Sequence, residues 1–522
     1  MSKSMNPIAA PKTLRYEPDA GLPVAIEAKS NRRYFYPNNG EKFGPTQTNV
    51  IRMTLNANSF LDFSHSYLQF TVKNTNSAAG AMGVDFGCPF FQRLQIMSGG
   101  QELEDIQEYG RLYSILQSVQ GSRLTADETS LTQHQPFAGD ADDAVSGITA
   151  ADLQLLTVAA GIDDAGGFVG DGGAAAALNG RITTAIDDAV GSRTGEGASY
   201  RHNRFGQVAQ NGEITYNVPI ISAFFNIDKY FPLLLTEQGL DIYLYLETTK
   251  NIGVHDAGNN ATANYEINNV RYVAHEVNLD DAFVNQMKAS MQATGGVLSL
   301  SSTTYRYNNV AGVAKIDSAA GTEIVNISCR VKSLKGMLVR PQAQVVNNNH
   351  LTYAISTGQQ CGITSAQFRI GSVLYPQSAI QIKENNLGEM YNEIRKCFGT
   401  IGSYAHGTGL NGSTFRLMRE RDARTDGAGS GSKRQHFLLA YDFETFAKSA
   451  TESGLNVADR MLPVSLELNR GLIRNNAGAA NAAGIVDDTD GKDPNQAIRY
   501  DTFAMCDCII YIDLMGKITT RI

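Results

Sequence analysis

The sequence predicts an all-β protein built as two antiparallel sandwiches in tandem, and three observations lead there. Runs of four to eight residues alternate apolar and polar with period two and are rich in β-branched and aromatic side chains, which marks half-buried strands. The runs fall into two blocks of about 230 residues, each with one helical interruption, and all-β domains commonly take about 200–250 residues. A parallel α/β sheet would need a helix after nearly every strand, and those helices are missing.

Residues 1–48 carry Pro7, Pro11, Pro18, Pro23, Pro37 and Pro45 with little periodicity, so an extended arm is expected. Through Arg33 this arm holds six bases (Lys3, Lys12, Arg15, Lys29, Arg32, Arg33) against three acids (Glu17, Asp19, Glu27), a local charge of +3. Its densest basic and aromatic stretch, Arg32 to Tyr36, suits packing on a neighbouring subunit and, as a weaker alternative, nucleic-acid contact.

The first sandwich is expected over 49–279. Ile51, Met53 and Leu55 share one strand face; Leu68, Phe70 and Val72 share another after a turn-like Asp62 to Ser66. Leu94 and Ile96 lead to Gly99 and Gly100, a hairpin turn pair before Leu103. The period then changes: Ile106, Tyr109, Tyr113 and Leu116, with Leu112, Ile115 and Val119 beside them, predict a helix over Asp105–Gln120. An Ala/Gly/Asp-rich insertion occupies about 121–210. Strands resume at Ile214 to Ile220, Leu240 to Leu246 and Val270 to Ala274, and Phe283, Val284, Met287 and Met291 predict a linker helix over 280–294. The second sandwich, 295–522, contains Val297 to Tyr307, Val325 to Val331, Leu334 to Val339, Phe437 to Phe443, Leu462 to Leu468 and Phe503 to Leu514.

The pattern of reactive residues is thin. The histidines (His65, His134, His202, His255, His275, His350, His406, His436) never stand two apart with a downstream Glu, as a jelly-roll metalloenzyme of the cupin type would place them. Gly407 to Thr414 and Gly427 to Arg434 lack the Gly-Lys-Ser/Thr order of a phosphate loop, Lys433 being followed by Arg434. Asp487, Asp488 and Asp490 before Gly491 resemble part of a calcium loop, but Val486 and Ala497 stand where carboxylates are required. No Gly-x-Ser-x-Gly elbow lies between a strand and a helix. Cys88, Cys329, Cys361, Cys397, Cys506 and Cys508 show no paired metal spacing; Cys506 and Cys508 face the same side of an apolar strand and suit a core better than a redox pair. Catalytic, cofactor and metal residues are therefore expected to be none.

No run of about 18 apolar residues suggests a membrane span. Met1 to Pro11 lacks the apolar stretch of a secretory signal, which predicts folding in a reducing compartment. A net charge of −8 argues against a strongly basic nucleic-acid coat. Charged residues make up 18%, below the usual share of about 25%, which predicts large polar but weakly charged surfaces.

Four segments carry a family resemblance. Asn58 to Val72, with Phe60-Leu61-Asp62 before Ser66-Tyr67-Leu68, resembles the opening strands of double-jelly-roll major capsid proteins. Ser333-Leu334-Lys335-Gly336 is similar to their Ser-Leu-x-Gly strand. Ile370-Gly371 with Tyr375-Pro376, before a helix-like Leu387 to Phe398, is similar to their Ile-Gly-x-x-x-Tyr-Pro segment. Leu439 to Phe443 and then Ser453-Gly454-Leu455-Asn456 match a late strand and loop. The likeness spans most of 50–515 and points to capsid proteins of polinton-like viruses, adintoviruses and virophages.

The resemblance implies two tandem eight-stranded antiparallel jelly rolls with short helices and a long insertion in the first. It implies a homotrimer forming a pseudo-hexagonal capsomer, tiling the icosahedral shell of a double-stranded DNA virus assembled inside the host cell. Capsomer neighbours, penton and minor capsid proteins are the implied partners, with a weak packaged-DNA contact through the arm. A carbohydrate- or receptor-binding sandwich and, at lower weight, a jelly-roll enzyme are the alternatives. Pro376 is expected to fix an extended turn, and Phe60, Phe63 and Tyr67 to pack the first sandwich near the arm.

Residues 138–198 hold ten acids against Arg181 and Arg193, a net −8, so the rest of the chain is formally neutral. Deleting 138–198 is expected to leave the sandwich folded and raise the isoelectric point, and loss of the cooperative melt would place the insertion in the core.

Overall fold

The computed structural model describes residues 28–522 apart from 76–79, 84–88, 121–206, 210, 250, 253, 257–263, 294, 314–320, 344–354, 356–357, 383–385, 399–409, 411–414, 416–436, 446–452, 459–461 and 471–497. The first 27 residues, the acidic insertion, Cys88 and the three Gly- or Asp-rich loops weighed above therefore lie mostly or wholly outside the described residues.

The first block runs β1 (Ala28–Phe35), β2 (Val50–Leu55), β3 (Phe60–Asn74), β4 (Gly80–Gly83), β5 (Phe91–Ser98), β6 (Gln101–Gln107), α1 (Tyr109–Gln120), β7 (Gln207–Ala209), β8 (Glu213–Val218), β9 (Phe231–Pro232), β10 (Leu240–Leu246), β11 (Val254–Asp256) and β12 (Tyr265–Leu279). Helix α2 (Asp281–Ala293) follows. The second block runs β13 (Val297–Val313), β14 (Gly321–Ile327), β15 (Leu334–Ala343), β16 (Ile363–Ile370), β17 (Val373–Gln381), α3 (Gly388–Phe398), β18 (Leu439–Asp442), β19 (Val464–Arg470), β20 (Ile498–Asp513) and β21 (Ile518–Arg521).

The first block has one sheet in the order β1-β12-β3-β8 and a second in the order β2-β10-β5-β6; the second block has β13-β20-β15-β18 and β14-β19-β16-β17. The correspondence is strand for strand: β1, β12, β3 and β8 match β13, β20, β15 and β18, while β2, β10, β5 and β6 match β14, β19, β16 and β17. Each block is thus an eight-stranded antiparallel jelly roll, and α1 and α3 follow corresponding strands. Strands β9 and β21 extend the larger sheets, and β4, β7 and β11 form a small third sheet in the first block.

Alternation explains the packing. Ile51, Met53 and Leu55 on β2, and Leu240, Ile242, Leu244 and Leu246 on β10, are buried while the residues between them are not. Phe70 of β3 meets Phe91 of the facing β5 with ring centroids 5.1 Å apart, and stacks on Tyr216 at 5.3 Å. In the second roll Phe368 of β16 meets Tyr441 of the facing β18 at 6.1 Å. The hairpin at Gly99 and Gly100 has both residues at positive φ, 59° and 78°, as a two-residue turn between paired Ser98 and Gln101 requires.

Four local expectations change. Ala28–Phe35, read as arm, is the edge strand β1, paired along its length with β12. Only Phe35 of it is buried, so the sequence shows no alternation there. Asp105–Gln107, read as helix, continues β6 opposite Arg93 to Gln95; Ile106 satisfies both periods, and Glu108, at φ 51°, breaks strand from helix. Asp62 to Ser66 is a bulge inside the single strand β3: Asp62 pairs with His275 and Tyr67 with Val273, leaving four residues opposite one. Asp62 accepts from the Ser64 N–H at 3.0 Å and hydroxyl at 2.5 Å, the turn chemistry that its sequence suggested. Tyr375-Pro376, expected at a turn, is a cis peptide within strand β17. Phe60 and Phe63 are buried as expected, Phe63 against Phe225 at 4.5 Å, and half-buried Tyr67 accepts from Arg32 of β1.

The resemblance-bearing segments converge in the second roll. Leu334 and Leu455 exchange two backbone hydrogen bonds of 2.9 Å. The Ser333 hydroxyl accepts from Gly454 N–H at 3.0 Å and donates to Asp507 at 2.6 Å. Phe368 and Tyr375 both close on Phe443, at 5.6 and 5.5 Å. A Cβ on Gly454 would lie 2.5 Å from the Leu334 backbone. Gly454→Ala is therefore expected to cost about 1–3 kcal/mol, read as a lower urea midpoint; an unchanged midpoint would contradict this close approach.

Candidate assembly site

The two rolls join along a seam made by β6 and α1 on one side and β13, β15, β20, β21 and α3 on the other, the Thr520 hydroxyl of β21 donating to the Leu103 carbonyl of β6 at 2.8 Å. Helix α1 contains a single charged residue, Arg111, among side chains buried almost all round from Tyr109 to Leu116. Arg111 donates from Nε to Glu108 at 2.9 Å and from Nη1 to Asp501 at 3.1 Å and to Gln342 Oε1 at 3.0 Å. Arg499 donates from Nε to the other Asp501 oxygen at 2.7 Å and pairs with Glu108 at 2.9 Å. The Tyr307 hydroxyl adds a 2.8 Å bond to Asp501. Two guanidiniums and two carboxylates thus make a neutral cluster, with Arg111 and Asp501 at 1% and 0% side-chain exposure. Burial alone would raise Asp501, but Arg111, Arg499 and the Tyr307 hydroxyl outweigh it and hold the carboxyl below its ordinary value.

A second contact crosses the seam at Glu104 of β6. Its carboxylate accepts from the Ser222 hydroxyl at 2.5 Å, from Ala223 N–H at 3.0 Å and from Thr304 of β13. Burial raises the Glu104 carboxyl, and these bonds offset it only in part. Burial also raises Glu247, helped by nearby Glu108, and Glu323 in the second roll despite Arg470. Asp62 is lowered: burial opposes, but Ser64 and His65 prevail.

Stability should follow these shifts. A raised carboxyl stabilises fully below the ordinary glutamate value of about 4.3, and that contribution is lost as pH rises through the raised value. A lowered carboxyl stabilises above the ordinary aspartate value of about 3.9, and its contribution is lost as pH falls through the lowered value. The melting temperature is therefore expected to rise from neutral to mildly acidic pH and to fall steeply below the aspartate range. A calorimetric series showing a steady fall from neutrality downward would refute this balance.

The outer face of the β2-β10-β5-β6 sheet is polar and largely self-neutralised. On β2-β10-β5-β6, Arg52 pairs with Asp241 at 3.3 Å and lies over the Tyr243 ring, while Arg93 pairs with Asp105 at 2.6 Å and lies over Tyr245. This matches the weakly charged surfaces expected from composition.

Of the histidines, the fold brings His65 and His275 together, ring centroids 5.9 Å apart, with His65 on Asp62 at 2.6 Å. The other six, His255 included, have side chains outside the described residues. Among the described residues no group of three or more His, Cys, Asp or Glu is placed to hold a metal, and no helix is long and apolar enough to cross a membrane. Cys506 and Cys508 are buried on one face of β20, and burial pushes the Cys508 thiol up to about 12. The seam residues escaped the sequence reading; the one available signal was a lone arginine in a twelve-residue segment otherwise free of charge.

Two eight-stranded rolls of identical strand order, side by side in one chain, define the double-jelly-roll class, and comparison with solved structures agrees. The PBCV-1 protein fitted into a cryo-EM reconstruction of the virophage Sputnik superposes with a TM-score of 0.54 at 9% identity, covering 96% of this chain and 98% of that one. A chain of the PBCV-1 virus capsid gives 0.53 at 10% identity, with the same coverage. The cryo-EM structure of the Sputnik virophage gives 0.50 at 11% identity, covering 99% and 93%. At such identities the likeness is one of fold, and it extends over nearly the whole chain. No protein-family model and no curated protein matches the sequence.

Proposed function

We propose that this chain is a major capsid protein: a building block that trimerises into pseudo-hexagonal capsomers and tiles the icosahedral shell of a double-stranded DNA virus. One observation carries the reading. Two rolls of the same strand order are locked side by side by a buried, neutral ion cluster, so one chain presents two nearly equivalent wedges and three chains present six. The polar, self-neutralised outer face of β2-β10-β5-β6 suits subunits that associate reversibly before locking. The solved structures of like fold include a PBCV-1 virus capsid. The role requires no catalytic residue, and it places the protein in the virion, assembled in the host cell with penton and minor capsid partners.

Light scattering of the purified chain should give three times 56.4 kDa, about 169 kDa, and negative-stain micrographs should show hexagonal capsomers or shells. Monomers alone at assembly concentrations would overturn the reading.

A further inference from the structure

The bulge in β3 gathers side chains that the seam does not use. Asp62 pairs with His275 of β12 and Tyr67 with Val273, so four bulge residues stand opposite one. His65, inside the bulge, lies with its Nδ1 2.6 Å from Asp62 Oδ2 and its ring centroid 5.9 Å from that of His275. The Asp62 carboxylate is itself fixed, accepting from the Ser64 N–H at 3.0 Å and hydroxyl at 2.5 Å. His275 is tied to the same turn, its backbone N–H donating to the Ser66 hydroxyl at 3.0 Å.

These contacts sort the ring nitrogens. An imidazole that donates from Nδ1 to a carboxylate keeps its proton there and leaves the Nε2 lone pair free, the arrangement in which metal-bound histidines are commonly held. His65 has that partner in Asp62, and its side chain is 73% exposed while that of Asp62 is 7% exposed. Among the described residues the His275 ring has no hydrogen-bond partner, so either of its nitrogens can serve. A tetrahedral zinc ion about 2.0–2.1 Å from one nitrogen of each ring would hold the two centroids about 5 Å apart. The observed 5.9 Å lies within about 1 Å of that, a gap that rotation of the exposed His65 ring closes. Two imidazoles are fewer than the protein ligands a structural zinc keeps, so water fills the other positions, as suits an exchangeable ion.

The neighbouring charges act in both directions. Asp62 places a negative charge behind His65. Arg32 of β1, the cross-strand partner of His275, opposes a cation, although its guanidinium lies over the Tyr34 and Tyr67 rings at 5.3 and 5.7 Å and donates to the Tyr67 hydroxyl.

We propose that His65 and His275 form a site for a divalent transition-metal ion of the zinc class, with Asp62 as the carboxylate that holds His65 in its ligating tautomer. Bound there, the ion ties the β3 bulge to β12 and stabilises the first roll. Imidazole suits zinc, copper and nickel, whereas magnesium and calcium take oxygen ligands, so the choice of ion is part of the inference. The site does not depend on the capsomer reading.

Calorimetric titration of zinc chloride into the full chain at neutral pH is expected to show binding that magnesium chloride does not. His65→Ala and His275→Ala should each weaken it about tenfold or more. Arg32→Gln should tighten it about threefold or more by removing a nearby positive charge. Zinc should also raise the melting temperature of the wild-type chain and not that of either histidine variant, since an ion that binds the folded form shifts unfolding. Both variants alter exposed or half-exposed rings, and a cooperative melt checks that they fold; should one not, His65→Gln or His275→Gln takes its place. Zinc binding of equal strength in the histidine variants would assign the ion to other side chains and overturn the site. So would equal binding of magnesium, or a wild-type chain that binds no zinc.

Discussion

Replacing Arg111 by alanine is expected to destabilise the folded chain by about 3–5 kcal/mol, because it leaves the fully buried Asp501 beside one guanidinium instead of two. The loss exceeds that of an ordinary surface pair, worth about 0–1 kcal/mol, since neither Arg111 nor Asp501 regains water in the folded state. Glu108 would lose a partner as well, at a residue already in the left-handed region at φ 51°. Arg111→Met with Asp501→Asn should cost much less than the sum of the single changes, because the double change removes opposite charges together. Urea unfolding of the four proteins measures this directly. Additive losses would show that the two groups are not coupled across the seam.

Phe70→Asp is expected to abolish folding. Phe70 has no exposed surface and sits among Phe91, Tyr216 and Phe90, with centroids 5.1, 5.3 and 6.0 Å away. Truncating such a ring costs about 3–5 kcal/mol. A carboxylate placed there would have no partner, and its burial adds several kcal/mol more. The sum approaches the whole stability of a typical domain, about 5–15 kcal/mol. Phe70→Leu, which keeps an apolar side chain, should cost far less and retain a cooperative melt. A soluble, cooperatively melting Asp variant would mean that Phe70 does not face the core.

Alternation made most strands legible because a strand with one wet face records its burial locally, residue by residue. Ile51, Met53 and Leu55, or Leu240 to Leu246, need no knowledge of their partners to be recognised. Strand β1 left no such record: its pairing with β12, some 240 residues onward, is made through backbone groups that every residue carries. The Asp62 bulge was half legible, since its side-chain bonds are local but the strand that resumes beyond it is held by β12.

By itself the sequence determined the all-β class, the division into two blocks, the hairpin at Gly99 and Gly100, and the segments that resemble a capsid family. Periodicity and turn chemistry act over a few residues, which is why these were open to reading. Only the tertiary structure decided that Arg111 and Glu108 would meet Asp501 and Arg499, nearly 400 residues away, to lock two rolls into one body. Charge pairing depends on distances in space that no local period encodes, so the cluster that joins the two rolls became visible only once the sheets were in place.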